Sequence, residues 1–270
     1  MTVFPTARVL RSLCAFVVAA VVVAGCGGGG PNVQIEQGDR SPSIDSAQAR
    51  FASPTDSAVV DSANVAVVVN VRDFEMGVQT ATPRAEEIAN SSNGQHVHVI
   101  VDNGPYMANY EAGTPFPVGE LSDGAHSAFV FPSRSYHESV KDTSAYDMVN
   151  FYVNEESGSF TLDPSQPTII YSRPKGTYSG AGAERIMLDF YLHNVTLSAD
   201  GYTAKYEIRE QGAQEPLASI TLTEWTPAFV TGLPSGTYVV HLQLLDAEGN
   251  VVPGAWNDTE REITVERGTS

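Results

Sequence analysis

Cysteine is nearly absent from this 270-residue chain: there are two, Cys14 and Cys26. Both lie so near the N-terminus that no disulfide can staple the remaining length, and cysteine-based zinc sites are excluded with it. Lysine is scarce as well, with Lys141, Lys175 and Lys205 making up the set. Fifteen basic residues face 32 acids, for a formal net charge of −17. Phosphate binding needs a basic footprint, so nucleic acid is excluded as a partner. The acid excess fits either a high-salt habitat, where screening relieves self-repulsion, or an ordinary acidic secreted protein. Catalytic signatures are missing too. There is no Gly-x-Ser-x-Gly elbow, no phosphate-binding glycine loop and no His-Glu-x-x-His. Asp163, Asp189, Asp246 and Asp258 are scattered, and no pair stands out as acid and base. The chain reads as non-enzymatic.

What is present begins at the N-terminus. Arg8 and Arg11 precede an apolar run of eleven residues, Leu13 to Val23, and Val23-Ala24-Gly25-Cys26 follows. The run is too short to span a bilayer comfortably, which indicates an export signal over residues 1–25. The Val-Ala-Gly-Cys end resembles a bacterial lipobox. That resemblance implies that Cys26 is lipidated, becomes the first mature residue and attaches the protein to a membrane in the cell envelope. Gly27 in place of Asp implies the outer membrane if the cell is Gram-negative. Residues 26–47, in which four glycines follow the cysteine and Ser, Pro, Gln and Asp abound, read as the lipidated cysteine and a flexible tether.

From Gln48 onward, short alternating strands are separated by Gly, Pro, Asn and Asp, with scarcely a helical period. One series holds Val65–Val71, Gln95–Asp102, Ala128–Phe131 and Met148–Val153. A second holds 168–171, 185–192, 202–209, 217–222, 237–245 and 262–266. The two series form a repeat. Gly124 lies over Gly236, Phe151 over Ile263 and Val153 over Val265 at one constant offset, and Pro54 and Pro174 start the units. An all-β fold of two tandem sandwiches is predicted, over 48–155 and 166–268. Leu233-Pro234-Ser235-Gly236-Thr237-Tyr238, with Leu245-Asp246-Ala247-Glu248-Gly249-Asn250, resembles the last strands of bacterial immunoglobulin-like or fibronectin type III-like domains. The resemblance implies that Tyr238 is a tyrosine corner, its hydroxyl tied back to the backbone.

The first unit is organised around Gln95-His96-Val97-His98-Val99-Ile100-Val101-Asp102. Period 2 puts His96 and His98 on one face and the valines on the other. We expect the valines to face the core and the histidines to point away from it, because a desolvated imidazole needs a partner. His-x-His, then Asp123-Gly124-Ala125-His126, then Tyr136-His137-Glu138, is similar to small histidine-rich exported bacterial domains, a resemblance that implies no activity. Antiparallel pairing brings His96 near the 132–146 loop with His137 and Glu138. It sets His126 opposite Asp102, too far away to share an ion, and makes it a structural substitute for the corner tyrosine. Three imidazoles and a carboxylate (His96, His98, His137 and Glu138) suit Zn²⁺ or Cu²⁺, and a hydrogen-bonded polar sheet face is the alternative reading. His193 and His241 belong to no cluster, and Trp225 and Trp256 read as packing residues.

Gly77 to Gly94 is long for a sandwich connection. Thr82, Pro83, Glu86 and Glu87 give it the start of a short helix. It lies at the same end as the 132–146 loop, so Glu86, Glu87 and Tyr136 are the expected ligand-binding loop residues. The functional expectation is an anchored, non-catalytic binding or spacer module for a protein or glycan, with a copper- or zinc-binding protein as the alternative.

Overall fold

The computed structural model describes residues 32–268, so the expected signal peptide and Cys26 lie outside the described residues. In chain order, β1 (Gln34–Gln37) comes first. It is followed by β2 (Gln48–Ser53), β3 (Val59–Val60), β4 (Asn64–Arg72), β5 (His96–Val101), β6 (Met107–Asn109), β7 (Pro115–Glu120), β8 (Gly124–Ser133) and β9 (Asp147–Val153). Next come β10 (Thr168–Arg173), β11 (Gly176–Ser179), β12 (Arg185–His193), β13 (Thr203–Glu210), β14 (Ala218–Leu222), β15 (Ala228–Thr231), β16 (Gly236–Leu245) and β17 (Asp258–Glu266). The fold is all-β. The first sandwich sets β2-β4-β7 against β3-β9-β8-β5-β6, and the second sets β10-β12-β15 against β11-β17-β16-β13-β14.

The repeat holds down to strand register. His126 stands opposite Phe151 as Tyr238 stands opposite Ile263. In each unit the first strand pairs antiparallel in one sheet, and the chain then crosses to run parallel to the last strand of the other, as β3 beside β9 and β11 beside β17. Both crossings begin at a cis proline, Pro54 and Pro174. The Tyr238 hydroxyl donates to the Pro234 carbonyl at 3.0 Å, the expected corner. His126 fills the matching place, with Nε2 2.8 Å from the Ser122 carbonyl and Nδ1 2.5 Å from Asp102.

Residue alternation explains the first core. Val97, Val99 and Val101 pack with Val65, Val67, Val69, Val130 and Phe151 inside the sandwich. The same strands also bury their other face. Ile100, Phe129 and Phe131 belong to the apolar cluster of the second sandwich. Phe131 stacks on Tyr191 of β12 at 4.7 Å, and Tyr191 meets Trp225 edge-on at 4.8 Å. The first sandwich therefore lays its five-stranded sheet on the β10-β12-β15 sheet, making four sheets in one stack. Each fully buried aromatic or isoleucine removed from water at this junction contributes about 1.5–3 kcal/mol.

Polar groups fix the alignment of that stack. Lys141 Nζ lies 2.5 Å from Asp189 Oδ1, with side chains 3% and 0% exposed. The Ser139 backbone N–H donates to the same carboxylate at 3.1 Å. The Tyr146 hydroxyl meets His193, and the Tyr191 hydroxyl donates to the Asp142 carbonyl.

The tether expectation is corrected over its described part. β1 pairs antiparallel with β15, Ile35 opposite Val230, and so extends the second sandwich's sheet. Val33 and Ile35 pack on that core. A free strand edge presents unpaired backbone groups that an extended segment can satisfy, and this outweighs the local composition. Gly38 permits the contact, since a Cβ there would lie 2.4 Å from the Phe229 ring.

Asp189→Ala is expected to lower stability by about 3–5 kcal/mol in urea denaturation, because it leaves the buried Lys141 ammonium without its partner. The double variant Lys141→Met with Asp189→Leu should recover most of that loss. Equal losses for the single and the double variant would refute this account of the junction.

Candidate functional site

The site is built by β5, by the turn after it and by the loop after β8. Asp102 and Asn103 both have positive φ, 49° and 55°, and the Gly104 N–H donates to the Val101 carbonyl at 2.8 Å. That is the turn geometry a two-residue hairpin prefers. It returns the chain so that Tyr106 stacks on His98, ring centroids 3.7 Å apart and planes within 11°. Beyond β8 the chain folds back tightly: the His137 N–H donates to the Arg134 carbonyl at 2.8 Å, and the Arg134 N–H donates to the Glu138 carbonyl at 2.9 Å. His137 takes φ +67°, a left-handed conformation that His tolerates better than most residues.

Three imidazoles converge there. His96 Nε2 lies 3.0 Å from His98 Nε2 and 3.0 Å from His137 Nδ1. Outside contacts hold the rings: His96 Nδ1 is 2.9 Å from the Gly94 carbonyl, and His98 Nδ1 is 3.1 Å from the Ser172 hydroxyl of β10. The Tyr106 hydroxyl is 3.3 Å from His137 Nδ1. Above the Tyr106 ring sits Lys175 Nζ at 4.0 Å, and Arg173 Nη1 lies 3.4 Å from the Tyr106 hydroxyl.

These surroundings keep the imidazoles neutral. Burial holds the pKa of His96 down at about 4, with Arg173 and Lys175 pushing the same way and the Gly94 carbonyl opposing. Burial also drives His98 well below the ordinary histidine range, helped by the His96 and His137 charges. His137 shifts downward for the same first reason, then through Arg173.

The structure brings His96, His98 and His137 together and leaves Glu138 out. The left-handed turn at His137 sends the next side chain the other way, so the Glu138 carboxylate faces Arg84 at 2.5 Å and the Ser41 hydroxyl at 2.7 Å. Burial alone would raise its pKa. The Lys141 charge, the Ser41 N–H and Arg84 outweigh that and hold it low.

The expected orientation of the histidines is corrected as well. The valines face the core, but His96 and His98 are themselves fully buried, because the second sandwich covers the face they share with Ile100.

The structure engages two of the three expected loop residues in internal contacts. Pro83–Glu86 forms a 3-10 turn whose Thr82 hydroxyl lies 2.9 Å from the Tyr136 hydroxyl instead of capping the turn. Tyr136 is buried, and Glu87 pairs with Arg185 of the second sandwich at 2.7 Å. Glu86 alone of the three stays unengaged and exposed. The loops are closed by packing on the second sandwich and on Ser41.

Trp225 and Trp256 are packing residues. The Trp225 Nε1–H donates to the Phe190 carbonyl at 3.0 Å, and the Trp256 Nε1–H to the Thr161 hydroxyl at 3.1 Å. His193 bonds Tyr146 and sits 3.0 Å from the Pro164 carbonyl. His241, expected to stand alone, is instead ringed by Glu207, Asp258 and Glu260 on a surface sheet.

Sequence reasoning did not single out Tyr106, Ser172, Arg173 and Lys175 as site residues. Tyr106 had a signal, being the first large side chain past the turn that ends β5. The other three come from the second unit and carry none.

No protein-family model matches this chain, and no curated protein does. Solved structures match over most of the chain at low identity. The fibronectin(III)-like modules of Clostridium thermocellum CbhA match at 12% identity, covering 82% of this chain and 95% of theirs with a TM-score of 0.27. A SusE-like surface-located polysaccharide-binding protein from the Bacteroides thetaiotaomicron heparin utilisation locus matches at 11%, covering 78% and 88%, with a TM-score of 0.26. The FN1-FN3 domains of chicken CNTN1 match at 10%, covering 78% and 69%, with a TM-score of 0.25. The likeness is one of fold alone.

Val99→Ala is expected to cost about 1–3 kcal/mol through lost burial and a cavity. His98→Ala should cost a similar amount, about 1–3 kcal/mol, because it opens a buried space and leaves Ser172 without its partner. Urea denaturation of the two variants checks this; a His98→Ala protein as stable as the parent would show that the face is not sealed.

Proposed function

We propose that this protein is a lipid-anchored, non-catalytic spacer of the cell envelope, two immunoglobulin-like sandwiches fused into one stiff body. The observation that carries the reading is the junction, where the first sandwich buries Ile100, Phe129 and Phe131 against Tyr191 and a lysine–aspartate pair is sealed at the boundary. Domains joined only by a linker move relative to one another by default, whereas a large apolar interface removes that freedom. The Val23-Ala24-Gly25-Cys26 motif supports attachment at Cys26. No helix among the described residues is long and apolar enough to cross a membrane.

Two features favour spacing over catalysis or sugar binding. Ser139 and Lys141 stand 2.9 Å apart, the atoms a serine–lysine dyad would use, but Asp189 engages both side chains. A cleft of about 540 Å³ opens beside Arg40, Lys141, Glu224 and Trp225. Its indole is only 7% exposed, with the Arg40 guanidinium 5.6 Å from the ring centre, and so offers little face to a sugar ring.

Cys26→Ala is expected to abolish lipid modification and to move the protein from the detergent phase to the aqueous phase. Two or three acyl chains give stable attachment where one gives marginal binding. Unchanged partitioning of the variant would sink the anchoring claim.

A further inference from the structure

Going beyond the spacer reading, we propose that His96, His98 and His137 bind one copper or zinc ion at the junction of the two sandwiches. One ring nitrogen from each lies within 4.8 Å of the other two, and they are the one such group among the described residues. Ligand nitrogens on a tetrahedral zinc ion sit about 3.3 Å apart at the usual metal–nitrogen distance. The two contacts of 3.0 Å therefore need to open by only a few tenths of an ångström.

The hydrogen-bonding capacity of the three rings suits a shared cation. The Gly94 carbonyl can only accept, so His96 Nδ1 carries the proton and Nε2 presents a bare lone pair. That one lone pair faces two nitrogens at 3.0 Å and can accept from one of them. With a single donor to that lone pair, the other contact is either lone pair against lone pair or an N–H that must turn elsewhere, which His137 Nδ1 can do only to the Tyr106 hydroxyl at 3.3 Å. A metal ion accepts all three lone pairs at once.

The supporting shell is already in place. Metal-bound histidines characteristically direct their second nitrogen at a carbonyl, a carboxylate or a water, which fixes the ring. Gly94 does this for His96, and Ser172 holds the second nitrogen of His98. The left-handed backbone of His137 aims its ring at the pair, and local strain of that kind concentrates at ligand sites. His137 is only half-buried, so an ion has a way in.

Charge decides between the ions. No carboxylate completes the ligand set, and Arg173 and Lys175 stand beside Tyr106. Each added positive charge is repelled by these two, so the monovalent ion, Cu(I), is favoured over Zn²⁺. Because Ser172 belongs to the second sandwich, an ion on His98 also tightens the seam between the sandwiches.

The test uses the full-length chain, extracted in detergent and stripped with a chelator. It is titrated with Cu(I) under anaerobic reducing conditions and, separately, with Zn²⁺, while bound metal and melting temperature are followed. We expect one equivalent of Cu(I) to bind more tightly than Zn²⁺ and to raise the melting temperature. His137→Asn keeps a residue that tolerates the left-handed conformation, so it should fold as the parent does and yet bind Cu(I) about tenfold more weakly or worse. Ser172→Ala, which removes only the outer partner, should weaken binding about 10- to 100-fold. No stoichiometric binding of either ion, or undiminished binding by folded His137→Asn, overturns the site. Tighter binding of Zn²⁺ than of Cu(I) overturns the choice of ion.

Discussion

Strands β5 and β8 are buried on both faces, and the remaining architecture follows from that constraint. In an ordinary two-sheet sandwich one face of each sheet is solvated and carries polar side chains. Here the outer face carries Ile100, Phe129 and Phe131, all without solvent exposure. Such a surface has to be covered, and the β10-β12-β15 sheet covers it. The pairs Lys141–Asp189 and Tyr146–His193 then fix one alignment out of the many that apolar contact alone would allow.

The same covering sets the chemistry of the histidines. On a solvated sheet face, His96 and His98 would titrate near the ordinary value and find partners in water. Sealed beneath β10, they lose hydration and share nitrogens with His137 and one another. Arg173 and Lys175 arrive from the second sandwich and add positive charge beside the cluster. The site therefore belongs to the seam and to neither sandwich by itself.

Two further segments close the assembly. β1 adds itself to the edge of the second sandwich before the chain enters the first, so the polypeptide clasps both units. The 77–94 insert reaches the same way, with Glu87 on Arg185 and the Arg185 guanidinium 3.7 Å from the Phe229 ring centre. Segments that look like a tether and a recognition loop are used here as straps.

Much was legible in the residues. The all-β class, the repeat, the corner at Tyr238 with its His126 counterpart and the inward valines all follow from local pattern, because strand periodicity and turn chemistry act over a few residues. The meeting of His96, His98 and His137 was also within reach, since antiparallel pairing carries the start of β5 to the end of β8. What local pattern left undecided was the second face. The alternation that grouped His96 and His98 also grouped Ile100 with them, and an outward isoleucine beside two outward phenylalanines of β8 was the sign that another layer would cover them. Only the tertiary structure decided what that layer was, turned Glu138 away to Arg84, brought Ser172, Arg173 and Lys175 to the histidines and drew residues 34–37 into a sheet. Those are contacts between residues far apart in the chain, and sequence spacing carries no information about which surfaces meet when each is already a complete sandwich face.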